Sequence, residues 1–132
     1  VRKPVDRFIS GSVYLKRLYG NDSQELFEDE NLFFSMIANI PAMDPSFSAN
    51  WFRSQIDFMT DRTKIWKYED GMGDNFVRWL GDIIGVDLKF DEDIEYPKSR
   101  DEGNKLKKTS KLINNVKQLY RKDIERFYPH LA

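Results

Sequence analysis

Two stripes of core-forming residues at helical spacing bracket the chain and constrain its fold more than any other feature. Near the start, Val5, Phe8, Ile9, Leu15 and Leu18, with the small Ser12 among them, recur at close to 3.6 residues. Near the end, Leu112, Ile113, Val116, Leu119, Tyr120, Ile124 and Phe127 do the same. Each stripe marks a helix with one face that must be covered. Pro4 suits the first turn of the opening helix, because its missing N–H would be unpaired there anyway. Gly20-Asn21-Asp22 stops that helix near Tyr19. Thr109 or Ser110 caps the closing helix and Pro129 ends it.

Between these stripes the pattern changes several times. Asp22 or Ser23 caps a second helix carrying Leu26, Leu32, Phe33, Met36, Ile37 and Ile40, which ends before Pro41. Pro41 to Asn50 reads as a loop, and Trp51 to Met59 as an irregular or short helical piece on the core. Lys64-Ile65-Trp66-Lys67-Tyr68 alternates polar and apolar residues, which predicts a strand closed by Glu69-Asp70-Gly71. Asp74 caps a helix through Ile84, with Phe76, Val77, Leu80, Ile83 and Ile84 on one face and Gly85 as its stop. Val86 to Phe90 reads as a brief strand or extended piece, and Asp91 to Lys108 as a long charged loop. A lone strand needs a sheet to join. Because the chain opens on a motif and not on Met, the rest of the domain is expected before Val1.

With 132 residues the chain fits one domain. Lys and Arg total 21 against 22 acidic residues, a balance that argues against a general nucleic-acid or membrane-surface binder. There is no cysteine, hence no disulfide framework or thiolate metal site, and the single histidine, His130, has no partners for a zinc site. No apolar run approaches a membrane span, and no signal-peptide pattern is present. The compartment is unassigned on this basis, with the cytoplasm favoured.

The first ten residues carry the chemistry. Arg2 stands just before the helix that Pro4 starts, and Ser10 lies two turns inside it. Helix N-termini offer unpaired N–H groups and a partial positive charge, so an anion is stabilised there. A guanidinium at that mouth can fork onto two phosphate oxygens. An ordinary amphipathic helix with scattered surface charges gives the same pattern.

Arg2-x-Pro4-x-x-Arg7-x-x-Ser10 resembles the 3′-phosphate-binding motif of sulfotransferases that use 3′-phosphoadenosine 5′-phosphosulfate (PAPS). Three further segments resemble the same family in the same order. They are Trp51-Phe52-Arg53-Ser54-Gln55-Ile56-Asp57-Phe58, Lys64-Ile65-Trp66-Lys67-Tyr68-Glu69-Asp70, and Leu119-Tyr120-Arg121-Lys122-Asp123-Ile124-Glu125-Arg126-Phe127-Tyr128. The resemblance covers nearly the whole chain but only the C-terminal portion of the family's domain. It implies an α/β, P-loop-type fold, of which residues 1–132 are a mostly helical portion with few strands. It implies that Arg2 and Ser10 bind the 3′-phosphate of PAPS, the sulfuryl donor. The acceptor is expected to be a hydroxyl or amine of a carbohydrate or small molecule, with no nucleic acid and no metal expected, and a homo-oligomer is a possible assembly.

The departures from the family are specific. No Gly-rich loop followed by Lys-Ser or Lys-Thr occurs in the chain, and the mid-domain segment has Asn50-Trp51 where the family often has a His. No residue of the chain is therefore assigned to the chemical step, and His130, in the terminal tail, is not a substitute. Arg7 is expected to form an ion pair with Asp6 or a loop acid. Glu69 and Asp70 are expected to cap the next helix or to pair with Arg62 or Arg78. Lys98, Ser99, Arg100, Lys105, Lys107 and Lys108 make the late loop basic, suited either to solvent or to covering a nucleotide. The aromatics Phe33, Phe34, Phe47, Trp51, Phe52, Phe58, Trp66 and Trp79 are expected mostly in the core. The alternative function is a non-catalytic helical interaction module resembling that fold. A nucleotide-binding domain of another P-loop class is a third.

Overall fold

The computed structural model of the chain describes residues 1–19, 35, 52–89 and 106–132. Four α-helices are delimited among them: α1 (Pro4–Tyr19), α2 (Asp74–Ile84), α3 (Ser110–Leu119) and α4 (Arg121–Phe127). Short 3-10 turns occupy Gln55–Phe58, Tyr68–Asp70 and Pro129–Leu131.

The helix ends follow local chemistry. Thr109 caps α3, its hydroxyl accepting from the Leu112 N–H at 3.1 Å. Gly85 ends α2 in the left-handed region (φ 71°), and the Val86 N–H returns to the Gly81 carbonyl. At the start of α2 the cap is Gly73, and Asp74 stands one place inside, where a carboxylate complements the helix dipole. The expected closing helix is interrupted at Tyr120 (φ −109°, ψ 31°), which joins α3 to α4. The buried stripe runs through this joint unbroken as Leu112, Val116, Tyr120, Ile124 and Phe127, while Leu119 is turned outward.

The core forms where α1 meets α3. Phe8, Ile9, Phe52, Leu112, Val116 and Tyr120 make one buried cluster, with Val5 and Leu106 against it. Phe8 is fully covered and meets Phe52 and Tyr120 edge to face, with ring centroids 5.5 and 6.4 Å away. Burying a side chain of this kind contributes about 1.5–3 kcal/mol. The hydroxyl of Ser12, the small member of the first stripe, returns to the Ile9 carbonyl at 2.7 Å.

The expected α/β, P-loop-type fold is corrected here: the described residues are helical and contain no strand. Lys64–Lys67 has no regular secondary structure and Tyr68 opens a 3-10 turn; the ladder-like bonds of this segment are one rung, Val1 N–H to the Trp66 carbonyl and Tyr68 N–H to the Val1 carbonyl. Trp66 packs on Phe76 and Trp79 of α2, at 5.6 and 5.3 Å, and its indole N–H donates to the Gly71 carbonyl. Trp66 therefore serves a helix and a turn, not a sheet, while Ile65 and Tyr68 stand exposed. Val86–Lys89 is likewise irregular. Phe58, expected in the core, is half exposed beneath Arg53. The expected helix through Leu26–Ile40 apart from Ser35, the Pro41–Asn50 loop, residues 91–105 of the expected Asp91–Lys108 loop, and Phe33, Phe34, Phe47 and Trp51 lie outside the described residues. No helix among the described residues is long and apolar enough to cross a membrane.

Candidate functional site

The residues around Arg2 are held by three distant parts of the chain. Arg2 belongs to a short arm, Val1 to Lys3, that leads into α1. An arm outside a helix has no internal partners for its polar backbone groups, so these must be found elsewhere. All are taken. Val1 pairs with Trp66 and Tyr68 as described above. The Arg2 N–H donates to Gln55 Oε1 at 2.8 Å, and Gln55 Nε2 donates to the Arg2 carbonyl at 2.9 Å. The Lys3 N–H donates to Glu69 Oε1 at 2.7 Å, and the Lys3 carbonyl accepts the Arg7 N–H, the first turn of α1.

These partners are themselves anchored. The fully buried Asp123 of α4 accepts from both the Gln55 and Ile56 N–H groups, at 2.8 and 3.0 Å. It thereby satisfies the free donors at the start of the Gln55–Phe58 turn. The Tyr120 hydroxyl donates to the Phe52 carbonyl at 2.6 Å, fixing the same segment from the helix joint. Burial pushes the Tyr120 phenol well above its ordinary pKa, so it stays a donor throughout the neutral range. Glu69 Oε2 accepts from the Tyr128 hydroxyl at 2.9 Å. Burial raises the Glu69 pKa, but the hydrogen bonds from Lys3 N–H and Tyr128 outweigh it, and the carboxyl ends below its usual range.

The Arg2 guanidinium lies over the exposed ring of Tyr68, 4.8 Å from its centroid. A guanidinium over a ring is held by the ring's negative face and can still present N–H donors to an oxyanion. Pro4 is buried and locks the start of α1 beside it, where the Val5 and Asp6 N–H groups have no intrahelical acceptor. The structure thus brings Arg2 together with Tyr68 and Gln55, two residues before α1 begins. Ser10 stands exposed on α1, about 9 Å along the axis from Pro4. It falls one turn beyond Arg7 on the same side of the helix.

Of the two partners expected for Arg7, Asp6 is taken by another residue. Asp6 pairs with Lys108 at 2.7 Å, whereas the Arg7 guanidinium turns inward over the Tyr120 ring at 5.6 Å. Burial lowers its pKa, and the fields of Tyr120 and Asp123 partly restore it. Lys108 is thereby accounted for as a surface ion pair closing the α3 approach onto α1. Glu69 bonds the arm and Tyr128 in place of the expected Arg62 or Arg78.

The sequence assigned no roles to Gln55, Asp123 and Tyr128 beyond their place in the resembling segments, and gave Tyr120 a place in the buried stripe but no partner for its hydroxyl. A readable signal was present in one case, since a lone Asp in a helical stripe of apolar residues marks a buried carboxylate with donors to satisfy. Compared with protein-family models, with curated proteins and with solved structures, the chain finds no match.

Proposed function

We propose that this chain carries the 3′-phosphate-binding end of a PAPS-dependent sulfotransferase that moves a sulfuryl group to a hydroxyl or amine of a carbohydrate or small molecule. The observation that carries this reading is the setting of Arg2. Arg2 stands two residues before a Pro-started helix, its guanidinium over the Tyr68 ring, on an arm whose every backbone polar group is tied to the body of the protein. A phosphate there meets a planar pair of charged donors and the positive end of α1. The four segments that carry the family resemblance also interlock through Gln55, Glu69, Tyr120, Asp123 and Tyr128.

Sulfuryl transfer resembles phosphoryl transfer, with in-line attack and charge spread over the equatorial oxygens, so positioning and electrostatics supply most of the rate. In this reading Arg2, on the arm before α1, and Ser10, on α1, hold the nucleotide by its ribose phosphate and thereby set the position of the leaving group. The chain contains no Lys-bearing Gly-rich loop, so the reading assigns it the 3′-phosphate end alone. Titration with adenosine 3′,5′-bisphosphate, followed by NMR, tests it. Arg2→Ala should weaken binding by about 10- to 100-fold, the loss of a charge-assisted forked contact. Absence of binding, or binding indifferent to Arg2→Ala, refutes it.

A further inference from the structure

We infer that Gln55 is a positioning residue for Arg2, an inference that rests on the reading of Arg2 as a phosphate ligand. Both backbone polar groups of Arg2 are held by this one side chain, its oxygen accepting from the Arg2 N–H and its NH₂ donating to the Arg2 carbonyl. Only a carboxamide offers an acceptor and a donor side by side in this way; a carboxylate would set an oxygen against the carbonyl, and an alkyl group would satisfy neither. The clasp spans 53 residues of sequence, so it is a tertiary device and not a turn.

The clasp is also rigid at its far end. Gln55 is 9% exposed, and its own N–H is fixed by the buried carboxylate of Asp123 on α4. The chain Asp123–Gln55–Arg2 thus links the closing helix to the arm before α1. Fixing the Arg2 peptide groups on both sides sets the direction in which its Cα–Cβ bond leaves the arm. A long side chain starting from a fixed stem loses less freedom when it grips an anion, which is how preorganisation raises affinity. Gln55 touches no phosphate in this scheme; it acts through Arg2.

The test compares two probes, adenosine 3′,5′-bisphosphate and adenosine 5′-phosphate, whose affinity ratio isolates the contribution of the 3′-phosphate. Gln55→Met keeps the reach of the side chain and removes both hydrogen bonds. The expected result is a ratio reduced by about tenfold, with 5′-phosphate binding unchanged. A merely structural defect lowers both affinities together and leaves the ratio where it was. If the unmodified protein prefers the bisphosphate and Arg2→Ala abolishes that preference, an unchanged ratio in Gln55→Met overturns the positioning role while the phosphate reading stands. If the unmodified protein shows no preference, the phosphate reading fails and takes this inference with it. Should Gln55→Met not fold, hydrogen exchange at the Arg2 amide of the unmodified protein decides the matter. Slow exchange, slower still with the bisphosphate bound, supports the clasp; exchange at the rate of an open loop refutes it.

Discussion

The Tyr128 hydroxyl and the Glu69 carboxylate meet at 2.9 Å across 59 residues of sequence, and the other oxygen of Glu69 holds the Lys3 N–H. One side chain thereby ties the arm before α1 to the end of α4. Lys67 also faces this pair, its ammonium 5.2 Å from the centre of the Tyr128 ring. The pair belongs to the same scaffold as Arg2, so its protonation affects the candidate site as well as stability.

The pH dependence follows from the directions of the two shifts. Glu69 sits below its ordinary pKa when folded. Its contribution is therefore complete above the unfolded value, about pH 4.3, and is lost as pH falls through the lower folded value. Burial and the neighbouring carboxylate push the Tyr128 phenol up. Its contribution is complete below the unfolded value, about pH 10, and is lost as pH rises toward the folded one. Tyr128→Phe should cost about 1 kcal/mol near neutrality. It should also flatten the stability profile at both the acid and alkaline ends, read by urea unfolding across pH. Equal profiles for the two proteins would show that the pair contributes nothing.

Asp123 should be among the most sensitive polar positions. It is fully buried and satisfies two backbone donors, Gln55 N–H and Ile56 N–H. Asp123→Ala leaves both without an acceptor, at about 1–3 kcal/mol each. Asp123→Asn keeps one acceptor and should lose less. Chemical denaturation of the two variants gives the order; a loss under about 1 kcal/mol for Asp123→Ala would contradict the buried-cap role.

Gly81 is predicted to resist replacement even though it lies inside α2, where Ala is the better helix former by about 1 kcal/mol. A Cβ at this position would fall 2.6 Å from the Val86 carbonyl oxygen, a backbone atom. The chain leaving α2 passes too close for any side chain. Gly81→Ala should therefore destabilise the protein by about 1–3 kcal/mol, by thermal or urea unfolding, in place of the usual gain. A stabilised variant would mean that the segment after Gly85 does not pack against α2.

Much of the helical layout was legible because it is decided locally. Pro4, the Thr109 hydroxyl and the left-handed Gly85 set helix boundaries through chemistry within a few residues of themselves. The stripe from Leu112 to Phe127 predicted the buried face even though the helix breaks at Tyr120, since the joint preserves the spacing. The strand expected at Lys64–Tyr68 was not legible as an error. Trp66 is covered, but by Phe76 and Trp79 of a helix, and Ile65 and Tyr68 stand exposed.

Arg2 could be singled out from its place ahead of Pro4, since a cation beside a helix mouth is a short-range pattern. Its supports could not. Gln55 and Glu69 lie far along the chain, and any buried amide or carboxylate can satisfy any donor that packing brings within reach. The amino-acid order by itself determined which segments become helices, where they stop and which faces are apolar, because those depend on neighbours a few residues apart. Only the tertiary structure decided that Asp123 would hold Gln55, that Gln55 would hold Arg2, and that Arg7 would turn inward over Tyr120 and leave Asp6 to Lys108. Hydrogen bonds and ring contacts are short-ranged and indifferent to sequence separation, so their partners are chosen only when the core closes.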